Sequence, residues 1–212
     1  MKVCEIFTSI QGESTYAGIP CTFIRLTGCN LRCSYCDTVY AYEEGTDLSV
    51  GEIIVRIRKA GVRLVEITGG EPLLQREDVF ELAVRLLDSG YRLLIETNGS
   101  ESVEGIDSRA VVIMDVKTPG SGMSDKNDFS NFGKIRQTDE IKFVICDRAD
   151  YEWSRKVVQE HRLSKRCTVL FSPAYGAMAP RDLAAWILRD GLEVRLNLQL
   201  HKYIYGPDER MV

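Results

Sequence analysis

Short apolar runs alternate along this chain with stretches patterned for helices, and that alternation limits the fold more than any other feature. Residues 22–27, 62–68, 91–96, 111–116, 141–145, 168–171 and 193–198 have strand length and are rich in β-branched and aromatic side chains. Between them lie apolar stripes at helical spacing: Val50, Ile53, Ile54 and Ile57; then Val79, Leu82, Ala83, Leu86 and Leu87; then Trp153, Val157 and Val158; then Leu183, Trp186 and Ile187. Ser49 with Glu52 reads as a capping box, and Gly90 and Gly191 suit helix stops. Strand–helix alternation of this kind predicts βαβ units and a parallel sheet, open or partly closed into a barrel. No repeat or linker-like break interrupts it, so residues 1–212 are expected to form a single domain. Residues 118–133 are polar and glycine-rich, which fits either a mobile lid or an ordinary surface excursion.

The unusual residues follow the predicted strands. Cys29, Cys33 and Cys36 follow the first, Gly69-Gly70-Glu71-Pro72 the second, Thr97-Asn98-Gly99 the third and Lys117-Thr118-Pro119-Gly120 the fourth. Ligands of parallel α/β folds bind outside the carboxyl ends of the strands, so four polar loops at one rim predict one site. The three cysteines fall within eight residues as C-x3-C-x2-C. Three thiolates leave one iron of a four-iron cluster open to an outside molecule. Three ligands of a zinc ion are the alternative, although zinc sites more often use paired C-x2-C knuckles. Cys4, Cys21, Cys146 and Cys167 are not spaced that way. Gly69-Gly70 permits close backbone approach, though a tight turn into a helix near Pro72 is the commoner meaning. Thr97-Asn98-Gly99 has the same turn reading.

Composition sets outer bounds. A formal net charge of −4 gives no global pull toward nucleic acid or anionic lipid. No apolar run is long enough to span a bilayer, and Met1-Lys2-Val3-Cys4-Glu5 does not open a secretory signal. Seven cysteines is an odd count, with three in one cluster, and that suits a reducing cytoplasm.

The cysteine loop, with Tyr35 before its third cysteine, and Thr68-Gly69-Gly70-Glu71-Pro72 together resemble the radical S-adenosylmethionine superfamily. Ile10-Gln11-Gly12-Glu13-Ser14, Arg25, Asp37-Thr38 and the tail from His201 to Pro207 narrow the resemblance to the 7-carboxy-7-deazaguanine synthase family. The resemblance implies an α/β fold, a shortened, partly open radical-SAM (TIM-like) barrel with parallel strands. It implies conversion of 6-carboxy-5,6,7,8-tetrahydropterin to 7-carboxy-7-deazaguanine with loss of ammonia, in queuosine or related deazapurine biosynthesis. The cofactors it implies are a 4Fe-4S cluster on Cys29, Cys33 and Cys36, S-adenosylmethionine, and Mg2+ on the Thr38 hydroxyl. It assigns substrate contacts to Ile10, Gln11, Gly12, Glu13, Arg25, Thr68 and the C-terminal Val212. S-adenosylmethionine contacts fall to Gly70, Glu71, Thr97, Asn98, Asp115, Val116, Lys117, Ser172 and Pro173. A flavodoxin- or ferredoxin-type electron donor and a homodimer are implied as partners. Residue chemistry agrees in part: Glu13 and Gln11 suit the N–H edge of a pterin, and the Arg25 fork suits a carboxylate. The runner-up is a radical activating enzyme that makes a glycyl radical on a partner protein, which would share the cysteine and Gly-Gly-Glu-Pro loops.

Overall fold

The structure is a computed structural model and describes residues 1–207 and 209–212; Asp208 lies outside the described residues. The strands form one sheet of nine: β1 (Lys2–Ile10), β2 (Pro20–Leu26), β3 (Thr46–Asp47), β4 (Leu64–Gly69), β5 (Arg92–Thr97), β6 (Val111–Val116), β7 (Glu140–Ile145), β8 (Thr168–Pro173) and β9 (Arg195–Leu196). Their order is β3-β1-β2-β4-β5-β6-β7-β8-β9, and β3 and β9 remain unjoined edges, so the barrel is open. From β2 onward every pairing is parallel. The N-terminal edge departs from the sequence expectation. β1, which periodicity did not single out, runs antiparallel to both β2 and β3.

Helices α1 (Val50–Ala60), α2 (Arg76–Asp88), α3 (Arg148–Glu160) and α4 (Pro180–Asp190) bear the expected stripes, and a short α5 (Leu200–Ile204) follows β9. The predicted capping box forms: Ser49 Oγ accepts from the Glu52 amide, and the Glu52 carboxylate accepts from the Ser49 amide at 2.8 Å. Among the described residues no helix is long and apolar enough to cross a membrane. In the parallel part of the sheet, strand–helix alternation fails twice, between β5 and β6 and between β6 and β7. Side chains secure the connections there. Asn131, fully buried, donates to the carbonyls of Gly99 and Glu101 and accepts from the Val103 amide at 3.1 Å. Asn127 brackets Lys117, accepting from its amide and donating to its carbonyl, both at 2.8 Å. Three 3-10 turns, Pro119–Ser121, Ser124–Lys126 and Phe129–Gly133, complete the segment, so residues 118–133 form a fastened excursion rather than a lid.

The two faces of the sheet differ because strand side chains alternate. Ile24, Ile67, Ile95, Met114, Phe143 and Phe171 lie in the apolar clusters that also contain the helix stripes. Fully burying one such side chain contributes roughly 1.5–3 kcal/mol. The other face is concave and graded. Near the strand starts it is apolar, with Phe7, Phe23, Leu64, Leu94 and Ile113 packed together. Two residues further along each strand it becomes charged, with Arg25, Glu66, Glu96 and Asp115, joined by Lys142 on β7. At the strand ends it meets the cysteine loop.

Candidate active site

A single cavity of about 720 Å³ occupies that concave face. Cys29, Cys33 and Cys36 all open onto it, as do Gly70, Asn98 and Lys117. The cysteine loop is held from two sides. Ser34 donates from its amide and hydroxyl to the carbonyls of Ser121 and Gly120, at 3.0 and 2.7 Å. Gly70 lies against it so closely that a Cβ there would overlap the Gly28 carbonyl. Gly70 therefore serves the approach of two loops as well as any approach of a ligand. Burial raises the Cys29 and Cys33 thiols above their ordinary range, and the Lys117 ammonium pulls both back. Among the described residues no three His, Cys, Asp or Glu side chains converge on one metal-sized point. A cubane does not ask for that, since its three protein thiolates bind three different irons.

The floor is a network of charge. Lys142 Nζ lies 2.8 Å from Glu13 and 3.7 Å from Asp115, and also pairs with Glu96. Burial alone would lower this lysine, but Glu13, Glu96 and Asp115 hold it well above its ordinary pKa. Glu13 is likewise kept ionised: burial raises it, and Lys142, His201 and the Gln199 hydrogen bond together more than offset that. Glu66 goes the other way, because burial and the nearby Glu96 favour its neutral form, and Gln11 Nε2 donates to it. Arg25 lies directly opposite Glu5 in the β1–β2 register and donates from Nε to Glu5 at 2.7 Å. Tyr40 donates to the same oxygen at 3.0 Å. Arg25 Nη1 and Nη2 donate to no described residue, so the two ends of the guanidinium fork remain available. Thr68 donates to Glu96 at 3.1 Å.

The tail closes the mouth. The Leu200 amide donates to the Gly12 carbonyl at 2.8 Å, and a Cβ at Gly12 would collide with His201. Gln199 donates to Glu13 at 2.9 Å, and Lys202 pairs with Asp37 at 2.7 Å. Ile10 and Val212 both line the cavity, as do Thr38 and Asp115. Two buried polar atoms on this wall, Asp115 Oδ1 and the Tyr35 hydroxyl, have no partner among the described residues. Such orphans invite a polar ligand.

Five expected cofactor contacts lie behind the wall instead of on it. Glu71 is fully buried and accepts from the Leu73 amide, the Thr97 hydroxyl and the Asn98 amide, at 2.9, 2.8 and 2.7 Å. Burial lifts its carboxyl to about 7 despite those three donors. Thr97 is turned away by strand alternation and spends its hydroxyl on Glu71. Val116 falls on the helix face, in the apolar core. Ser172 is covered by Asn197, which donates to it at 2.8 Å, and Pro173 is buried beside it. Sequence reading missed Glu5, Glu66, Glu96, Lys142, Gln199 and Lys202. For three of them a signal existed: Glu66, Glu96 and Lys142 are charges inside strands otherwise apolar, the same signal that singled out Arg25.

The Radical SAM superfamily pattern matches residues 23–108, which carry the cysteine loop and the Gly-Gly-Glu-Pro loop. A 7-carboxy-7-deazaguanine synthase of Koribacter versatilis is 46% identical over the whole of both chains. One of Chlorobaculum tepidum is 44% identical over all of this chain and 97% of its own. The chain belongs to the 7-carboxy-7-deazaguanine synthase family. Membership in this radical enzyme family implies a 4Fe-4S cluster and S-adenosylmethionine. The crystal structure of QueE from Escherichia coli has the same fold, with a TM-score of 0.79 over 94% of each chain at 24% identity. The open, mostly parallel sheet is thus a property of the family fold.

Proposed function

We propose that this chain is a 7-carboxy-7-deazaguanine synthase, acting on 6-carboxy-5,6,7,8-tetrahydropterin with loss of ammonia. One observation carries the reading: a single cavity joins three thiols at its rim to a half-buried arginine fork on its floor. The three soft thiols fit a cluster, and the orphaned Asp115 Oδ1 and Tyr35 hydroxyl fit a polar cofactor beside it. When bound, the cluster and S-adenosylmethionine supply a carbon-centred radical inside the cavity.

The chain's own residues aim that chemistry. Arg25, with Nε tied to Glu5, presents two free N–H pairs to a substrate carboxylate. Glu5 offsets the pull of burial on its charge. Glu66 in its neutral form offers a proton donor, and Glu13 and Glu96 offer acceptors, to the N–H and carbonyl edge of a pterin. Gln11 and Thr68 orient those carboxyl groups, by their bonds to Glu66 and Glu96. Thr38 lies on the wall with Asp37 Oδ1 3.4 Å from its hydroxyl. That sparse oxygen set fits Mg2+, which takes few protein ligands and leaves the rest to substrate and water. The tail, through Lys202 and Val212, excludes water from the mouth. A flavodoxin- or ferredoxin-type donor and a homodimeric assembly belong to the same proposal.

The test is an anaerobic assay of reconstituted protein with carboxytetrahydropterin, with and without Mg2+. The deazaguanine carboxylate and ammonia should form together, faster with Mg2+. Cleavage of S-adenosylmethionine that leaves the pterin unchanged would overturn the reading.

A further inference from the structure

Asn98 reaches from the loop after β5 to the cysteine loop. Its Nδ2 lies 3.0 Å from Asn30 Oδ1 and 3.9 Å from Cys29 Sγ. Hydrogen-bond chemistry fixes which way the amide faces. Asn98 Oδ1 accepts from the Ser100 amide at 3.0 Å and the Ser100 hydroxyl at 2.7 Å. A backbone N–H can only donate, so the oxygen must face Ser100 and the NH2 must face the thiol. That NH2 has two protons, one for Asn30 and one directed at sulfur. The loop is fastened from behind, where the buried Glu71 accepts from the Asn98 amide and the Thr97 hydroxyl. The Leu31 amide is a second donor to Cys29 Sγ, at 3.4 Å. Among the described residues neither Cys33 nor Cys36 receives an N–H donor on its sulfur.

We propose that Asn98 is a positioning residue for the iron–sulfur cluster, its side-chain amide donating to the Cys29 thiolate so that the cluster is easier to reduce. This rests on the cluster binding at Cys29, Cys33 and Cys36. Reduction adds negative charge that spreads onto the sulfurs, and a donor aimed at one of them favours the reduced form. Glu71 acts one step further back, by holding the Asn98 backbone in place.

The experiment is a redox titration of the reconstituted protein followed by electron paramagnetic resonance, comparing wild type with Asn98→Ala and Asn30→Ala. At a fixed potential near the wild-type midpoint, Asn98→Ala should show a ratio of reduced to oxidised cluster lower by roughly three- to tenfold. Asn30→Ala should stay near wild type, since Ser100 still orients Asn98. Equal potentials in wild type and Asn98→Ala, with the cluster intact in both, would overturn the proposal. Should Asn98→Ala lose iron, wild-type protein labelled with nitrogen-15 in its asparagine side-chain amides decides instead. A nitrogen-15 coupling to the reduced cluster is expected, and its absence contradicts the role. Wild-type protein that takes up no cluster defeats the underlying site reading, a result distinct from an unchanged potential.

Discussion

The two ends of the cavity are built differently. The thiol end comes from loops, and its reactive atoms sit within eight residues of one another. The charged floor comes from strands, with Arg25, Glu66, Glu96, Asp115 and Lys142 on five of them and no two adjacent in sequence. A cluster needs ligands on a short tether, so its signature stays local. A substrate platform needs side chains at fixed lateral spacing, and sheet register supplies that. The register pairs Asp115 with Lys142 and Arg25 with Thr68 across neighbouring strands. On the proposed function, one end generates reactivity and the other decides where it lands.

Substitutions separate the ends, and the largest effect belongs to the thiols. Cys33→Ala should cut S-adenosylmethionine cleavage by roughly a thousandfold or more. Pterin affinity of the cluster-free protein, followed by calorimetry, should stay close to wild type. Lys142→Met comes next. It leaves Glu13 and Glu96 without their shared cation, and breaking a buried pair this way costs roughly 3–5 kcal/mol in chemical denaturation. Cluster content per folded molecule should not change.

Glu71 gives a pH signature of similar size. Its folded pKa of about 7 lies above the ordinary 4.5, so the folded state binds the extra proton. Stability of the cofactor-free protein should then fall as pH rises from about 4.5 through 7, by up to roughly 3 kcal/mol from this group. Denaturant melts across that range should show a flatter slope for Glu71→Gln than for wild type. An unchanged slope would remove Glu71 from the account. Arg25→Lys is the mildest. Losing the planar fork should weaken pterin binding by roughly 1–3 kcal/mol, read as a raised KM, with little effect on iron content.

The same contrast explains what sequence alone could disclose. β2, the strands from β4 to β9 and the four long helices were legible because period-2 and period-3.6 patterns are local, whereas the two-residue β3 was not. β1 was not, although its Glu5 sets the Arg25 geometry through a cross-strand pairing. The sequence carries no helical stripe on either side of β6, in agreement with the fold, but the buried side chains such as Asn131 that fasten those connections were not legible. At the site, the cysteine loop and Gly70 were legible as motifs. Glu71 belonged to a motif too, yet burial turned it into an internal fastener. Ser172 lies in a polar strand end, and only the folded chain shows Asn197 covering it.

The claim that one end makes the radical and the other aims it is tested most directly by product partition. Reconstituted wild type and Arg25→Met would be given carboxytetrahydropterin and S-adenosylmethionine without oxygen, and 5′-deoxyadenosine and carboxydeazaguanine counted in each. Wild type should form deazapurine, and Arg25→Met should still release 5′-deoxyadenosine while forming almost no deazapurine. If both products fell in the same proportion in the variant, the two ends would not be separable and the account would be contradicted.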